Sequence, residues 1–427
     1  MKKAYLLLLW LFSFSGLLAQ IDTAQIVVPG RKNAPQSLDK PYVILISADG
    51  FRYDYAEKYG ASHLLSLAEQ GVRAKAMIPS FPSVTGPNHY TLVTGMVPSH
   101  TGFVDNYFID GKRKDFFSMS KKEKISDGSW LGGLPLWSLA EQQGVLSASL
   151  FWVASNSDAG GLRPTYYYDY HEKFDAEQKI NIVLNWLKLP EEQRPHFISL
   201  YFPEVDKAGH LFGPESPQTI EAVRYVDKAV GRLIEKVEQL GLEKVNFIFV
   251  SDHGMIGVDT LNPIPIPSFL QDPERFSCVN GQTLLRVHVK NPTETASALR
   301  KIQALKDQRF KVYRSENFPK KLRYRKTDDR FNRIGELLLV PKAPSIFADE
   351  KSLVKVGKHG YNPYKTKEMQ AVFFAKGSAF KSRKVIAPFP NTNLYPIIAR
   401  ILGLPYTHHI DGSPKTAKQV LKPDTSH

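Results

Sequence analysis

Apolar positions along this chain gather into short continuous runs separated by longer amphipathic stretches. Tyr42-Val43-Ile44-Leu45-Ile46 is such a run, as expected of a strand buried on both faces. Phe197–Phe202, Val245–Val250 and residues 371–375 repeat the pattern. Residues 63–70 have helical periodicity and stop at Gly71. Residues 216–240 place Ile220, Val223, Val230, Leu233, Ile234 and Val237 at three- and four-residue spacings, and Gly241 ends the pattern. Strands alternating with helices predict an α/β fold, a mostly parallel sheet sandwiched by helices. Residues 272–340 are basic and less regular, with a β-like run over 284–289, and read as an inserted smaller subdomain. The main domain is then expected in two parts, 41–271 and 341–420.

The amino terminus has its own pattern. Lys2 and Lys3 precede an apolar run over residues 4–18, and Ala19 is a small residue at a cleavage point. This predicts a secretory signal over residues 1–19, too short for the ~20 residues of a membrane span, followed by a polar linker over 20–40. No second apolar stretch is long enough to span. The mature chain is expected to be exported, periplasmic or secreted, with no membrane span. The single cysteine, Cys278, excludes a disulfide scaffold and a zinc ribbon. A large exported protein without disulfides fits a bacterial periplasm better than an animal extracellular space.

The composition is 42% hydrophobic and 23% charged, which excludes global disorder. The net charge is +14, and residues 300–333 hold 13 Lys+Arg against 4 Asp+Glu. Such a segment attracts anionic partners, although a solvated surface is its commoner role.

The chemistry lies just after the buried runs. Asp49 follows the first, Asp206 and His210 the second, and Asp252-His253 the third. Sites in open α/β sheets form beyond the carboxyl ends of the strands. Asp206 and His210 are four apart, so one helical turn puts them on the same side. His359 sits between Lys358 and Gly360, and Gly357 and Gly360 let the backbone approach closely. Three carboxylates and three imidazoles suffice for two metal ions. Mixed nitrogen and oxygen ligands suit zinc ahead of manganese or iron, and argue against calcium.

The stretches "ILISADGFR", "TGPNHYTLVTGMVPSHTGFVDN", "YFPEVDKAGHLFGP", "VSDHGM" and "GKHGYNPYKTKEM" together resemble the nucleotide pyrophosphatase/phosphodiesterase branch of the alkaline phosphatase superfamily. The resemblance implies an alkaline-phosphatase-like fold and a two-zinc hydrolase that cleaves phosphodiester or pyrophosphate bonds through a covalent phosphothreonine. It puts Thr85 at the nucleophile's position. It puts Asp49, Asp252 and His253, with Thr85, on one zinc, and Asp206, His210 and His359 on the other. Asn106 matches the side chain that binds a non-bridging phosphoryl oxygen, with the Gly86 N–H expected to donate beside it. Relatives that bind nucleotides carry an aromatic residue where this chain has Gly86. One wall of a base slot is therefore missing, and Tyr167, within Tyr166-Tyr167-Tyr168-Asp169-Tyr170, is the first candidate for the other.

The expected partner is a small-molecule phosphoester, with no dedicated nucleic-acid module and no obligate protein partner. The alternative is a phosphomonoesterase on the same scaffold. That would need an added cation near the free phosphoryl oxygens, for which Arg52 and Arg163 are candidates. A polyanion-binding protein centred on the basic insert is a further alternative, but it would not require the ligand set and Thr85. A sulfatase is disfavoured, because Val279-Asn280-Gly281 follows Cys278 in place of the Pro and Arg pattern that chemistry needs.

Overall fold

The computed structural model describes residues 24–349 and 354–423, so the expected signal segment lies outside the described residues. A nine-stranded sheet forms the centre, in the order Ile26–Val27, Tyr166–Tyr168, Ser147–Leu150, Phe197–Phe202, Tyr42–Ala48, Val245–Val250, Phe373–Gly377, Val72–Ala74 and Lys384–Ile386. The strands from Tyr166–Tyr168 to Val245–Val250 are mutually parallel, so their carboxyl ends open on one edge.

Every residue of Tyr42–Ala48 is buried, because both faces are covered. Val43 and Leu45 pack with helices Thr85–Thr94, Leu136–Gln142 and Leu394–Ile401. Ile44 and Ile46, alternating to the other side, pack with Ser62–Gln70, Ala176–Leu187 and Pro217–Glu238. The last helix starts where Ser216 accepts a hydrogen bond from the Thr219 N–H and Pro217 takes the first turn, and it ends slightly before the apolar pattern does. The apolar run at 371–375 becomes strand Phe373–Gly377. It runs antiparallel to both neighbours, which makes the sheet mixed at that side.

A second sheet of four antiparallel strands has the order Phe276–Asn280, Leu285–Val289, Leu337–Pro341 and Phe310–Arg314. Helix Thr295–Ala304 packs on one face through Ala298 and Ile302, against Leu285, Val287, Leu337 and Leu339. Much of the basic charge here is neutralised locally. Arg309 pairs with Asp307, Arg314 with Glu316, Arg325 with Asp328 and Lys326 with Glu336, while Arg323 reaches Asp411 and Arg333 reaches Asp110. Paired cations attract a polyanion poorly, which weakens the polyanion-binding alternative. Among the described residues no helix is long and apolar enough to cross a membrane.

Candidate active site

The open edge of the parallel strands gathers the predicted side chains. Asp49 leaves Tyr42–Ala48, and Asp252 and His253 leave Val245–Val250. Helix Glu204–Phe212 follows Phe197–Phe202 directly and carries Asp206 and His210 one turn apart, with His210 Nε2 3.5 Å from Asp206 Oδ2. The two-residue strand Gly357–Lys358 pairs with Ile256–Gly257 and delivers His359, whose Nε2 lies 3.5 Å from Asp206 Oδ1. Asp206, His210 and His359 thus form one group of converging ligand atoms, and Asp49, Asp206 and His253 form a second. The groups abut, with the His253 and His359 rings stacked at 3.6 Å between centroids.

The donor set fits metal ions. Each of the three imidazoles is oriented by its Nδ1, which meets a backbone carbonyl: His210 that of Gly357, His253 that of Gly254 and His359 that of Ser83. Nδ1–H donating to a carbonyl leaves Nε2 as a lone pair aimed inward, the arrangement metal-binding histidines adopt. The Nε2 atoms of His210 and His359 face each other at 3.1 Å. Asp49 Oδ1 and Asp206 Oδ1 are buried without a hydrogen-bond donor, while Asp252 Oδ2 has His253 Nε2 at 2.9 Å and His89 Nδ1 at 3.3 Å. Burial, reinforced by Asp252 and Asp206, pushes the Asp49 carboxyl well up. Burial, together with His253 and His210, pushes His359 well down. Acidic oxygens crowded without donors are what a bound dication would relieve.

Thr85 opens helix Thr85–Thr94, with Val84 extended before it (φ −123°, ψ 154°). Its Oγ1 lies 3.2 Å from His253 Nε2, at the meeting point of the two ligand groups. The Gly86 N–H donates to Asn106 Oδ1 at 2.8 Å. This corrects the expectation that it is a free donor to substrate. A backbone N–H can only face the amide oxygen, so the Asn106 NH2 group is turned away from it. Among the described residues that NH2 group and the Thr85 N–H have no protein acceptor, which leaves two donors beside the Thr85 hydroxyl.

Two cavities flank this point. The first, about 430 Å³, touches Thr85, Asp49 and Asp206 and is walled by Met119, Phe151, Trp152, Tyr168 and Tyr170. The second, about 450 Å³, touches Asn106, His210 and His359 and is polar, with Asn280, Gln282, Lys355 and Lys358 beside Asp105 and Asp349. Tyr167 lines neither, a correction to the expected wall. Strand alternation sends Tyr166 and Tyr168 to one face and Tyr167 to the other, so Tyr168 and, past the strand end, Tyr170 face the cavity. Nor is the space beside Gly86 open. A Cβ there would lie 2.5 Å from the Phe103 ring and 2.8 Å from Met119 Sδ.

His89 was given no role by sequence. One turn after Thr85, its Nδ1 lies 3.0 Å from the Thr85 carbonyl and 3.3 Å from Asp252 Oδ2, while Nε2 meets Ser47 Oγ at 2.8 Å. It lies between Asp252 and helix Thr85–Thr94, and its i, i+4 spacing from Thr85 was the available signal. Tyr201, which donates to Asp49 Oδ2 at 2.6 Å, left no comparable mark within its apolar strand. Arg52 and Arg163 are engaged elsewhere. Arg52 binds Asp54 and Glu215, and Arg163 donates to the Asn156 carbonyl. Neither lines either cavity, so the cation argued for a monoester site is not supplied by them.

Comparison with known proteins gives a consistent result. The family model described as type I phosphodiesterase / nucleotide pyrophosphatase matches residues 43–362. Ectonucleotide pyrophosphatase/phosphodiesterase family member 1 of Mus musculus is 33% identical over 380 residues, covering 87% of this chain and 42% of that protein. An uncharacterized pyrophosphatase/phosphodiesterase of Schizosaccharomyces pombe is 33% identical over 399 residues, covering 89% of this chain and 80% of that protein. Among solved structures, murine ectonucleotide pyrophosphatase/phosphodiesterase 5 superposes with a TM-score of 0.82 at 26% identity, over 89% of this chain and all of that one. An inactive threonine-to-alanine variant of that protein, in complex with AMP, superposes with a TM-score of 0.81 at 25% identity. The alkaline-phosphatase-like α/β fold expected from the sequence agrees with these matches.

Proposed function

Because the chain belongs to the type I phosphodiesterase / nucleotide pyrophosphatase family, we propose that it hydrolyses phosphodiester or pyrophosphate bonds with Thr85 as nucleophile. The observation that carries this reading is Thr85 Oγ1 at the head of its helix, 3.2 Å from His253 Nε2, where two groups of converging ligand atoms meet. Two zinc ions suit the donor set, one held by Asp49, Asp252, His253 and Thr85, the other by Asp206, His210 and His359. When bound, they would lower the pKa of the threonine hydroxyl and offset charge on the attacking and leaving oxygens.

The rest falls to the chain's own side chains. The helix start points Thr85 Oγ1 at the phosphorus. The Asn106 NH2 and Thr85 N–H donate to non-bridging oxygens as charge builds on them. The Thr85 Oγ1–P bond forms as the bond to the leaving oxygen breaks, so the phosphothreonine from a diester still carries the retained ester arm; water then cleaves the Oγ1–P bond, which releases a phosphomonoester and regenerates the hydroxyl. The aromatic cavity takes an apolar or planar arm of the substrate, and the cavity with Lys355 and Lys358 takes an anionic one. A nucleoside polyphosphate has both arms, and a structural neighbour was solved with AMP. The basic segment 272–340 is read as an accessory unit, and residues 1–19 as a signal that exports the chain.

The test compares wild type with Thr85→Ala on a bis-aryl phosphodiester and on the matching monoester, with metal content measured in both. The reading requires diester cleavage well above monoester cleavage in the wild type, and its loss in the variant with metals retained. Faster monoester cleavage would favour the phosphomonoesterase alternative.

A further inference from the structure

The four-stranded sheet gives the second cavity Asn280 and, from its hairpin, Gln282, and it also sends one buried cation against the backbone beside Asn106. Along Leu285–Val289, the residues Leu285, Val287 and Val289 pack under helix Thr295–Ala304. Strand alternation therefore turns Arg286 to the opposite face, toward the large domain. Its guanidinium is wholly buried. Nη2 lies 3.1 Å from Asp105 Oδ2 and also donates to the Tyr107 carbonyl. Asp105, buried too, accepts the Asn106 N–H through Oδ1 at 2.7 Å. One guanidinium thus grips the residues on both sides of Asn106. The hairpin before the strand presses on the same place, since a Cβ on Gly281 would lie 3.3 Å from Asp105 Oδ2.

The pairing is a poor stabilising device. Arg286 Nε and Nη1 are buried with no acceptor, so the cation is only partly satisfied. Burying a charge is costly, and well-packed apolar residues usually replace such pairs without loss. What the pair does achieve is placement. With the 105–107 backbone fixed, Asn106 Oδ1 meets the Gly86 N–H and its NH2 group faces outward beside Thr85.

We propose that Arg286 is a positioning residue of the reaction, acting through Asp105 to hold Asn106 on the phosphoryl group. This gives the inserted sheet a role in turnover, and it rests on the reading of Asn106 given above. An oxyanion donor displaced by a fraction of an ångström loses most of its effect, while substrate binding through the two cavities is spared.

The experiment is a double-mutant cycle. Arg286→Gln alone leaves Asp105 unpaired and could unfold the chain, so it is made together with Asp105→Asn, which removes both charges. The pair is made in wild-type and Asn106→Ala backgrounds, with thermal midpoint and metal content recorded for each. In the wild-type background the pair should lower kcat by at least ~10-fold, and KM by less than ~3-fold in either direction, toward the ~10²-fold that loss of one oxyanion donor produces. In the Asn106→Ala background the same change should move kcat by less than ~3-fold, because the group it positions is gone. Equal losses in both backgrounds would overturn the proposal, as would a folded double variant with wild-type kcat. If Asn106→Ala is fully active, the role given to Asn106 fails, and any loss from the Arg286 pair then runs by another route, which also overturns the inference. A Thr85→Ala enzyme that keeps its activity would instead strike at the nucleophile and leave the cycle to be judged on its own result.

Discussion

Gly86 and Met119 compete for one volume: a Cβ on Gly86 would lie 2.8 Å from Met119 Sδ. The wall that an aromatic side chain after Thr85 would build is occupied here by a methionine from a separate loop, backed by the Phe103 ring. Gly86→Phe is therefore expected to overpack the site, not to complete a stacking slot. A destabilisation of about 1–3 kcal/mol, seen as a lowered Tm, is expected, with no gain in kcat/KM for nucleotides. Met119→Ala is the complementary change. Sulfur–aromatic contacts are worth roughly 0.3–1.5 kcal/mol, so KM for a substrate with an aromatic arm should rise by about 2- to 10-fold, with an alkyl diester little affected. Steady-state kinetics on the two substrates check it.

Thr85→Ala should lower kcat by at least ~10³, because the covalent route is lost, while bound metal stays near the wild-type amount. Thr85→Ser keeps a hydroxyl at the helix start and should retain measurable turnover. Rapid acid quench followed by mass spectrometry should find the phosphoryl group with its retained ester arm on the peptide carrying residue 85 in the wild type and in Thr85→Ser only. Full activity in Thr85→Ala at unchanged metal content would remove the nucleophile from this position.

Much of this site was legible in the sequence because local geometry fixes it. Asp206 and His210 converge because they are one helical turn apart, and Asp252 and His253 because they are adjacent where a buried strand exits. What escaped depends on contacts distant in the chain. Met119 reaches Gly86 from another loop, and Arg286 reaches Asp105 from another sheet. Nothing in the spacing of those residues announces either meeting. Tyr167 failed for a different reason. Three consecutive tyrosines carry no alternation of character, so the sequence gives no sign of which strand face turns to the cavity.

Of the two cavities only the second has lysines, Lys355 and Lys358 beside Asp105 and Asp349, and Lys358 is the side chain to test. Burial pushes its ammonium down, to about 8, with Lys355 adding to the effect, and among the described residues neither lysine has an ion-pair partner. A hydrogen bond to a charged group is worth about 1.5–3 kcal/mol, or roughly 10- to 100-fold. Lys358→Gln should cost that much in kcat/KM for a nucleoside triphosphate, whose leaving group is anionic. It should cost little for an aryl ester of a nucleoside monophosphate, whose departing arm is uncharged when bound. The wild-type preference for the triphosphate should also shrink as salt is raised. An equal loss on both substrates would show that Lys358 serves the neighbouring His359, not the substrate.

Asp411 supplies a prediction independent of catalysis. It lies with His100 and His409 in a cluster that could pass for a third metal site. Its oxygens are already engaged, however, by the Val97 N–H at 2.8 Å, His100 Nδ1 at 2.9 Å and the Arg323 guanidinium. A guanidinium bound to the carboxylate opposes a dication there by charge. Burial alone would raise the carboxyl, but these donors outweigh it and hold it at about 2, against an ordinary 3.8. A folded-state value below the unfolded one means that the group stabilises the fold fully above about pH 4. That contribution is lost as pH falls through about 2, where the folded carboxylate takes up its proton. Asp411→Asn removes the titration. At pH 7 the variant should melt below the wild type, with its Tm falling less steeply than the wild type's between about pH 4 and pH 2. Melting curves across that range at constant ionic strength decide it. Parallel curves would mean that the carboxylate is not held by these partners, and binding of zinc dependent on Asp411 would mean that the cluster is a metal site after all.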